Sequence, residues 1–396
     1  MNWPLVKLSD VVEVNPRPPK GINSSQQVSF IGMASASNEG FLLNEEMRVL
    51  SDTKKGFTYF EKSDVLLAKI TPCFENGKCL RANQISKPIG FGSTEFHVLR
   101  VNPVKVDSTY LFYIVWSDQF RLLGEASMSG AAGQKRVSAK FLKEFKFPLP
   151  PLVEQKRIAA ILDKADSIRR KRKQAIQFAD EFRHAVFLDM FGDPVTNPKG
   201  LNKLPITELA DVITGYAFKS SEYVDCSQDA VRLCRGTNTL TGHFDWSDTV
   251  YWPKNRLDDL ESYLLSTGDV VLALDRPWIS SGLKVCVFKE NDLPTYLVQR
   301  VARLRPKEPA HSAYIYGCIK ASAFERHCCP TETTVPHISP IELKSFQILI
   351  PEPRLLNKFH AVAVKTERHI GMLASSACES DAFFRSLAKK TFSGQL

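Results

Sequence analysis

Two patterns of apolar residues alternate along the chain. From about Leu152 to Phe191 and from about Arg354 to Phe392 there is no proline, and apolar residues recur at alternating steps of three and four. In the first stretch these positions are Ile158, Ile161, Ala165, Ile168, Arg172, Ala175, Ala179, Phe182 and Val186. In the second they are Phe359, Ala363, Thr366, Ile370, Leu373, Ala377, Ser380, Phe384 and Leu387, with Thr366 and Ser380 as polar interruptions. Such spacing predicts two long helices, each with a coiled-coil seam. A helix of about 35 residues spans about 50 Å at 1.5 Å per residue, which makes it a spacer longer than a small domain is wide. Two matched seams on one chain are expected to pair with each other, antiparallel.

Outside these stretches the pattern is mixed. Val65-Leu66-Leu67-Ala68 and Val270-Val271-Leu272-Ala273 are short apolar runs after a turn residue, as expected of buried strands. Tyr110 to Phe120 and Tyr314 to Phe324 have the spacing of short amphipathic helices.

These elements repeat at an offset of roughly 200 residues, a periodicity that decides the architecture. Trp3 to Val12 matches Leu204 to Ile213, and Ser63-Asp64-Val65 matches Gly268-Asp269-Val270. Val137-Ser138 through Phe145 matches Ile338-Ser339 through Phe346, and each run leads to a proline, Pro150 or Pro351. The expected fold is α+β: two repeated α/β domains, 1–150 and 193–350, separated by helices 151–192 and 351–396 that form an antiparallel coiled coil.

Composition narrows the function. The 396 residues carry a net charge of +9, which favours a polyanionic partner. The nine cysteines form no Cys-x-x-Cys pair, so free thiols in a reducing cytoplasm are expected, and His327, Cys328 and Cys329 lack a second ligand pair for a metal. No apolar run approaches the ~20 residues of a membrane span.

The segment Phe147-Pro148-Leu149-Pro150-Pro151-Leu152-Val153-Glu154-Gln155-Lys156-Arg157-Ile158 resembles the close of a target-recognition domain in type I restriction-modification specificity subunits. The loop Gly130-Ala131-Ala132-Gly133-Gln134-Lys135-Arg136 is similar to a loop of that family. The second copy departs from the pattern: Pro351 to Phe359 lacks the Glu-Gln pair, and Thr331 to His337 lacks the glycine-rich loop. The resemblance implies a non-catalytic subunit that reads a bipartite, asymmetric double-stranded DNA site, with the helices setting the unread gap. It implies two methyltransferase subunits and restriction subunits as partners. The chain then holds no cofactor of its own, and S-adenosylmethionine, ATP and Mg belong to those partners.

Competing chemistry finds little support. Gly130 to Arg136 is not a P-loop, because glutamine intervenes and no Ser or Thr follows the lysine. Asn15-Pro16-Arg17-Pro18 only faintly matches an adenine-methyltransferase motif. A self-contained methyltransferase and a coiled-coil scaffold without DNA contact are the alternatives. The expected DNA-contacting residues are Lys69, Lys78, Arg81, Gln134, Lys135 and Arg136 in the first domain, and Arg235, Arg276, Lys284, Arg300 and His337 in the second. The run Arg169-Arg170-Lys171-Arg172-Lys173 is expected as a solvated helix face or a strip over phosphates between the half-sites.

Overall fold

The computed structural model describes residues 3–131, 133–289, 294–328 and 337–392; Ala132, Cys329 and the segment 331–336 named above lie outside them. The chain divides into two compact units, 1–173 with 375–396, and 174–374.

In unit 1 the strands are β1 (Leu5–Lys7), β2 (Val12–Val14), β3 (Gln27–Ile31), β4 (Glu46–Val49), β5 (Thr58–Glu61), β6 (Val65–Ala68), β7 (Cys79–Arg81), β8 (Ile89–Gly92), β9 (Phe96–Val101) and β10 (Lys146–Pro148). They form sheets of order β2-β9-β6-β7 and β4-β3-β8-β5, and β1 pairs with β10. In unit 2 they are β11 (Lys203–Pro205), β12 (Ala210–Thr214), β13 (Ala230–Cys234), β14 (Val250–Pro253), β15 (Val270–Ala273), β16 (Trp278–Ile279), β17 (Gly282–Leu283), β18 (Val285–Val287), β19 (Thr295–Leu297), β20 (Val301–Pro306) and β21 (Gln347–Leu349). The order β12-β20-β15-β18 and the pair β11-β21 repeat unit 1, and β14-β13-β19 repeats β4-β3-β8 without a counterpart of β5 among the described strands. The small hairpin β16-β17 is an addition of the second copy.

The two apolar runs are central strands, buried at every residue, which is why they read as continuous hydrophobic stretches without alternation. Each carries just before it an aspartate whose carboxylate takes a bidentate arginine from the neighbouring strand. Asp64 accepts from Arg100 Nε and Nη2 at 2.9 and 2.7 Å, and Asp269 accepts from Arg305 at 2.9 and 2.8 Å. Burial opposes the charge on Arg100, yet the Asp64 contact prevails and its pKa is raised.

The helices expected from Tyr110 to Phe120 and Tyr314 to Phe324 are each two. Ser108–Trp116 gives way to Asp118–Ala126 at Ser117, and His311–Lys320 to Ser322–Cys328 at Ala321. The first break is explained by capping: Ser117 is extended, and its hydroxyl accepts from Phe120 N. Tyr110 and Tyr314, buried in the first helix of each pair, donate their hydroxyls to the last strand, at Pro148 O (2.8 Å) and Leu349 O (2.6 Å).

The long helices run over Leu152–Phe191 and Pro353–Phe392. In unit 1 the start of the first meets the end of the second, with Phe384 and Leu387 packed on the core that holds Ile158 and Leu162. In unit 2 the pairing reverses, with Phe187 and Phe191 against Phe359 and Leu356. Along the second helix, burial falls on the expected positions: Phe359, Ala363, Thr366, Ala377 and Ser380 are buried, and Ile370, Leu373 and Phe384 half-buried.

Along the first helix the structure places burial one residue later. Ile158 is buried, Ile161, Ala165 and Ala175 are half-buried, and Ile168 and Phe182 are exposed at 42% and 55%. Leu162 and Asp166 are buried instead, and the Arg169 and Arg183 side chains are only 11% and 17% exposed. The reason is electrostatic. Asp166 pairs with Arg169 and Arg170 at 2.7 and 2.8 Å, Arg169 lies over the rings of Trp116 and Phe384, and Arg183 reaches Glu367 at 3.3 Å. Charged groups satisfied in this way occupy the inner face, and apolar ones are left outside. Leu162→Ala is therefore expected to cost about 2–5 kcal/mol, whereas Phe182→Ala should cost about 0.5 kcal/mol or less. Chemical denaturation of the two variants checks this, and equal losses would restore the expected seam.

Candidate nucleic-acid interface

Three loops meet at the same place in each unit, and backbone hydrogen bonds fix the crossing. In unit 1 Lys69 N donates to Glu95 O (2.9 Å) and Val137 N to Lys69 O (2.8 Å). In unit 2 Leu274 N donates to Arg300 O (2.9 Å) and Ile338 N to Leu274 O (3.0 Å). The loop after β6 or β15, the turn before β9 or β20, and the segment entering the last short helix thus converge.

In unit 1 the glycine-containing loop is closed at its base by a bridge between Ser129 and Arg136, and Arg136 also bridges Ile70. Gly130 has φ 130° and a Cβ there would lie 2.9 Å from Gln134 O, so the tight return requires glycine. Gln134 and Lys135 stand exposed at the tip, and Lys69 is half-buried beside it. Arg136 is held at the base by Glu95, with Nη2 to Oε1 at 2.9 Å. That hydrogen bond keeps the Glu95 carboxyl below its ordinary pKa.

The corresponding point in unit 2 holds Asp275, Arg300 and His337. Arg300 Nη1 donates to Asp275 Oδ2 at 2.7 Å, and His337 Nδ1 lies 2.5 Å from Oδ1. Burial pushes the Asp275 pKa up, but Arg300 and His337 outweigh it and hold the carboxyl below 3.8. A depressed carboxyl pKa means a contact that is complete above the unfolded value and lost only as pH falls through the lower folded one. Arg276 and Arg300 are both exposed and both left-handed, at φ 44° and 64°. Each such residue costs about 1–2 kcal/mol, and Arg276 also precedes Pro277, where the α region is further disfavoured. Two strained, solvent-facing arginines on adjacent loops make this spot a candidate site. Lys284 lies close by, half-buried, with its pKa lowered by burial against the pull of Asp275.

Other expected contacts are placed differently. Lys78 Nζ donates to Met33 O at 3.0 Å. Arg81 faces the first long helix, where its Nη1 donates to Asp163 Oδ2 (3.0 Å) and Thr109 Oγ1 (3.1 Å), so it ties β7 to that helix. Arg235 is held across its own loop by Asp248 at 2.9 Å. The basic run is not a solvated face. Arg169 and Arg170 pair with Asp166, Arg172 Nη1 donates to Ser376 O (2.7 Å), and Lys173 pairs with Glu39 (2.6 Å). Of the five, Lys171 is exposed and makes no ion pair among the described residues. Sequence reasoning missed Glu95 and Asp275, the carboxylates that position the arginines, because nothing in their local sequence sets them apart from surface acids.

The Glu-Gln pair at the head of the first long helix is explained by packing. Gln155 is fully buried, accepting from Asp107 N (2.9 Å) and donating to Lys105 O (2.9 Å) and Pro150 O (2.8 Å). It fastens the helix to its domain, and buried Leu356 stands there in the second copy.

Residues 1–177 match the family described as "Type I restriction modification DNA specificity domain". The chain is 27% identical over 436 aligned positions to the type I restriction enzyme EcoAI specificity subunit of Escherichia coli, covering 86% of this chain and 73% of that protein. It is 34% identical over 163 positions to the EcoEI specificity subunit, also from Escherichia coli, spanning 41% of this chain but 27% of that protein. Among solved structures, the S subunit of a type I restriction-modification system from M. genitalium superposes with a TM-score of 0.57 at 14% identity, covering 99% of this chain and 96% of that one. A chain from a structure on complex assembly and conformational transition of the type I R-M system gives 0.54 at 18% identity, covering 100% and 98%. Residues 1–177 thus match a type I restriction-modification DNA specificity domain, and over most of its length the chain is similar to the specificity subunits of those systems.

Proposed function

We propose that each unit reads one half of a split, asymmetric double-stranded DNA site through its loop crossing. Lys69, Gln134, Lys135 and Arg136 serve in unit 1, and Arg276, Lys284, Arg300 and His337 in unit 2. The observation that supports this most directly is the equivalence of the two crossings, which present different side chains on the same backbone frame. One frame with two sets of base-edge donors is what an asymmetric site requires.

In this reading residues 1–150 and 193–350 are the target-recognition domains. Residues 151–192 and 351–396 are spacers that set the unread gap and offer docking surface to two methyltransferase subunits, with restriction subunits joining for cleavage. S-adenosylmethionine, ATP and Mg are bound by those partners, and the complex works in the cytoplasm.

Mapping methylated adenines across a host genome with and without this gene tests the reading. A split motif should vanish with the gene, and exchanging residues 193–350 for those of a relative should change one half-site while keeping the other and the gap. A methylation map indifferent to the gene, or both half-sites altered by the exchange, overturns it.

A further inference from the structure

The internal repeat allows the two units to be compared position by position. In unit 1 the space between β7, helix Ser108–Trp116 and the first long helix is closed by polar side chains. Arg81 donates to Asp163 and Thr109 as described, and Tyr113 donates its hydroxyl to Asp163 Oδ1 at 2.7 Å.

The counterparts follow from register. Arg81 pairs with Val65 as Val287 pairs with Val270, so Val287 stands for Arg81. Tyr110 and Tyr314 make the same hydroxyl contact to the last strand, so Ala313 and Gly317 stand for Thr109 and Tyr113. Counting from Pro150 and Pro351, Val364 stands for Asp163. Every member of the polar closure is replaced by a small apolar residue or glycine. Gly317 admits the Phe187 ring, since a Cβ there would lie 2.7 Å from it.

The space in unit 2 is consequently an open cleft of about 790 Å³, walled by Val287, Phe288, Ala313, Tyr316 and Val364. This volume is in the range of ligand sites, about 300–1,000 Å³. Four cations line it (Arg183, Lys289, Arg305, Arg368) against two carboxylates. Both carboxylates are engaged: Asp269 by Arg305 at 2.8 Å, and Glu367 by Arg183 at 3.3 Å and Lys289 at 2.6 Å. Arg368 is exposed and makes no ion pair among the described residues. His360 Nδ1 is buried at the cleft with no hydrogen-bond partner among them. The cleft thus joins an apolar wall to unmatched positive charge.

We propose that it docks an acidic protein segment carrying a bulky apolar side chain. The apolar group occupies the volume that Arg81 and Asp163 fill in unit 1, beside the Phe187 ring that takes the place of Tyr113, and a neighbouring carboxylate meets Arg368 and His360. The inference does not depend on DNA reading.

It is tested by panning a phage library of random peptides on the full chain and measuring the enriched sequences by fluorescence anisotropy. Peptides combining Phe, Leu, Met or Trp with Asp or Glu should be enriched. They should bind about tenfold more weakly both to Val364→Trp, which plugs the wall, and to Arg368→Glu, which reverses the charge. Val364 is 53% exposed and Arg368 lies on the surface, so both chains should fold, which unfolding curves check directly. Absence of enrichment, enrichment of basic or uncharged peptides, or binding indifferent to either variant overturns the proposal.

Discussion

Affinity for the cognate DNA should fall by about 10³–10⁵ as salt rises from about 50 to about 200 mM, the response expected when about six to ten phosphates are neutralised. In the proposed reading the exposed cations of the loop crossings carry this slope. Lys135 is exposed at the loop tip in unit 1, and Arg276 is exposed in unit 2. Lys135→Glu or Arg276→Glu should each reduce the magnitude of the slope by about one. Arg81→Ala should leave it unchanged, because that guanidinium is turned to Asp163 and Thr109. Anisotropy titrations across the salt range, on the chain with a methyltransferase partner, measure all three. A slope indifferent to Lys135 and Arg276 removes the loop crossings as the DNA surface.

Asp64→Ala should destabilise unit 1 by about 1–3 kcal/mol, the cost of leaving the Glu61 amide without its buried acceptor while Arg100 keeps Glu61 as its remaining partner. The Asp64 side chain is completely buried and accepts from Glu61 N at 2.7 Å as well as from Arg100. Removing it leaves the Glu61 amide without its acceptor and leaves Arg100, 21% exposed, with Glu61 Oε1 at 2.7 Å as its carboxylate partner. Asp269→Ala should do the same to unit 2, where Ser266 N donates at 2.7 Å and Arg305 closes the pair. Hydrogen exchange resolves the two, with protection lost at β6 and β9 in the first variant and at β15 and β20 in the second. The double variant Asp64→Leu with Arg100→Met should recover only part of the loss: well-packed apolar substitutes for buried pairs are often neutral, but the Glu61 amide stays without its acceptor. Global loss of protection in either single variant contradicts two separately stabilised cores.

The contrast between the long helices shows what a sequence makes visible. The second was legible to the residue, because its inner face is apolar apart from Thr366 and Ser380, whose hydroxyls bond back to Val362 O and Ser376 O. The first was legible as a helix but not in its facing. Asp166, Arg169 and Arg183 turn inward because partners satisfy them there, and those partners are distant in sequence: Trp116, Asp381, Phe384 and Glu367. Hydrophobic pattern alone assigns such charges to solvent. The loop crossings were partly legible, since Arg276 and Arg300 sit on turns between strands and Gln134, Lys135 and Arg136 on the glycine-containing loop that leads into the repeated Val137 segment. The left-handed backbone of the two arginines and the anchoring role of Glu95 and Asp275 had no local signature. One signal was present and unread: Asp64 to Arg100 and Asp269 to Arg305 span the same 36 residues in the two copies.

The division of the chain into units also bears on how it is made. Unit 2 is a continuous stretch, 174–374, whereas unit 1 joins 1–173 to a segment beginning at 375. A ribosome adds about 5–20 residues per second, so the first domain emerges well before the helical segment that completes it. Until then Tyr113 and Trp116 lack Phe384, whose ring centroid rests 6.0 Å from each. The second unit can close while synthesis continues, and the first waits with an apolar strip uncovered. Order of completion is therefore the reverse of order of synthesis, and a nascent chain stalled before residue 375 is the species most in need of a chaperone.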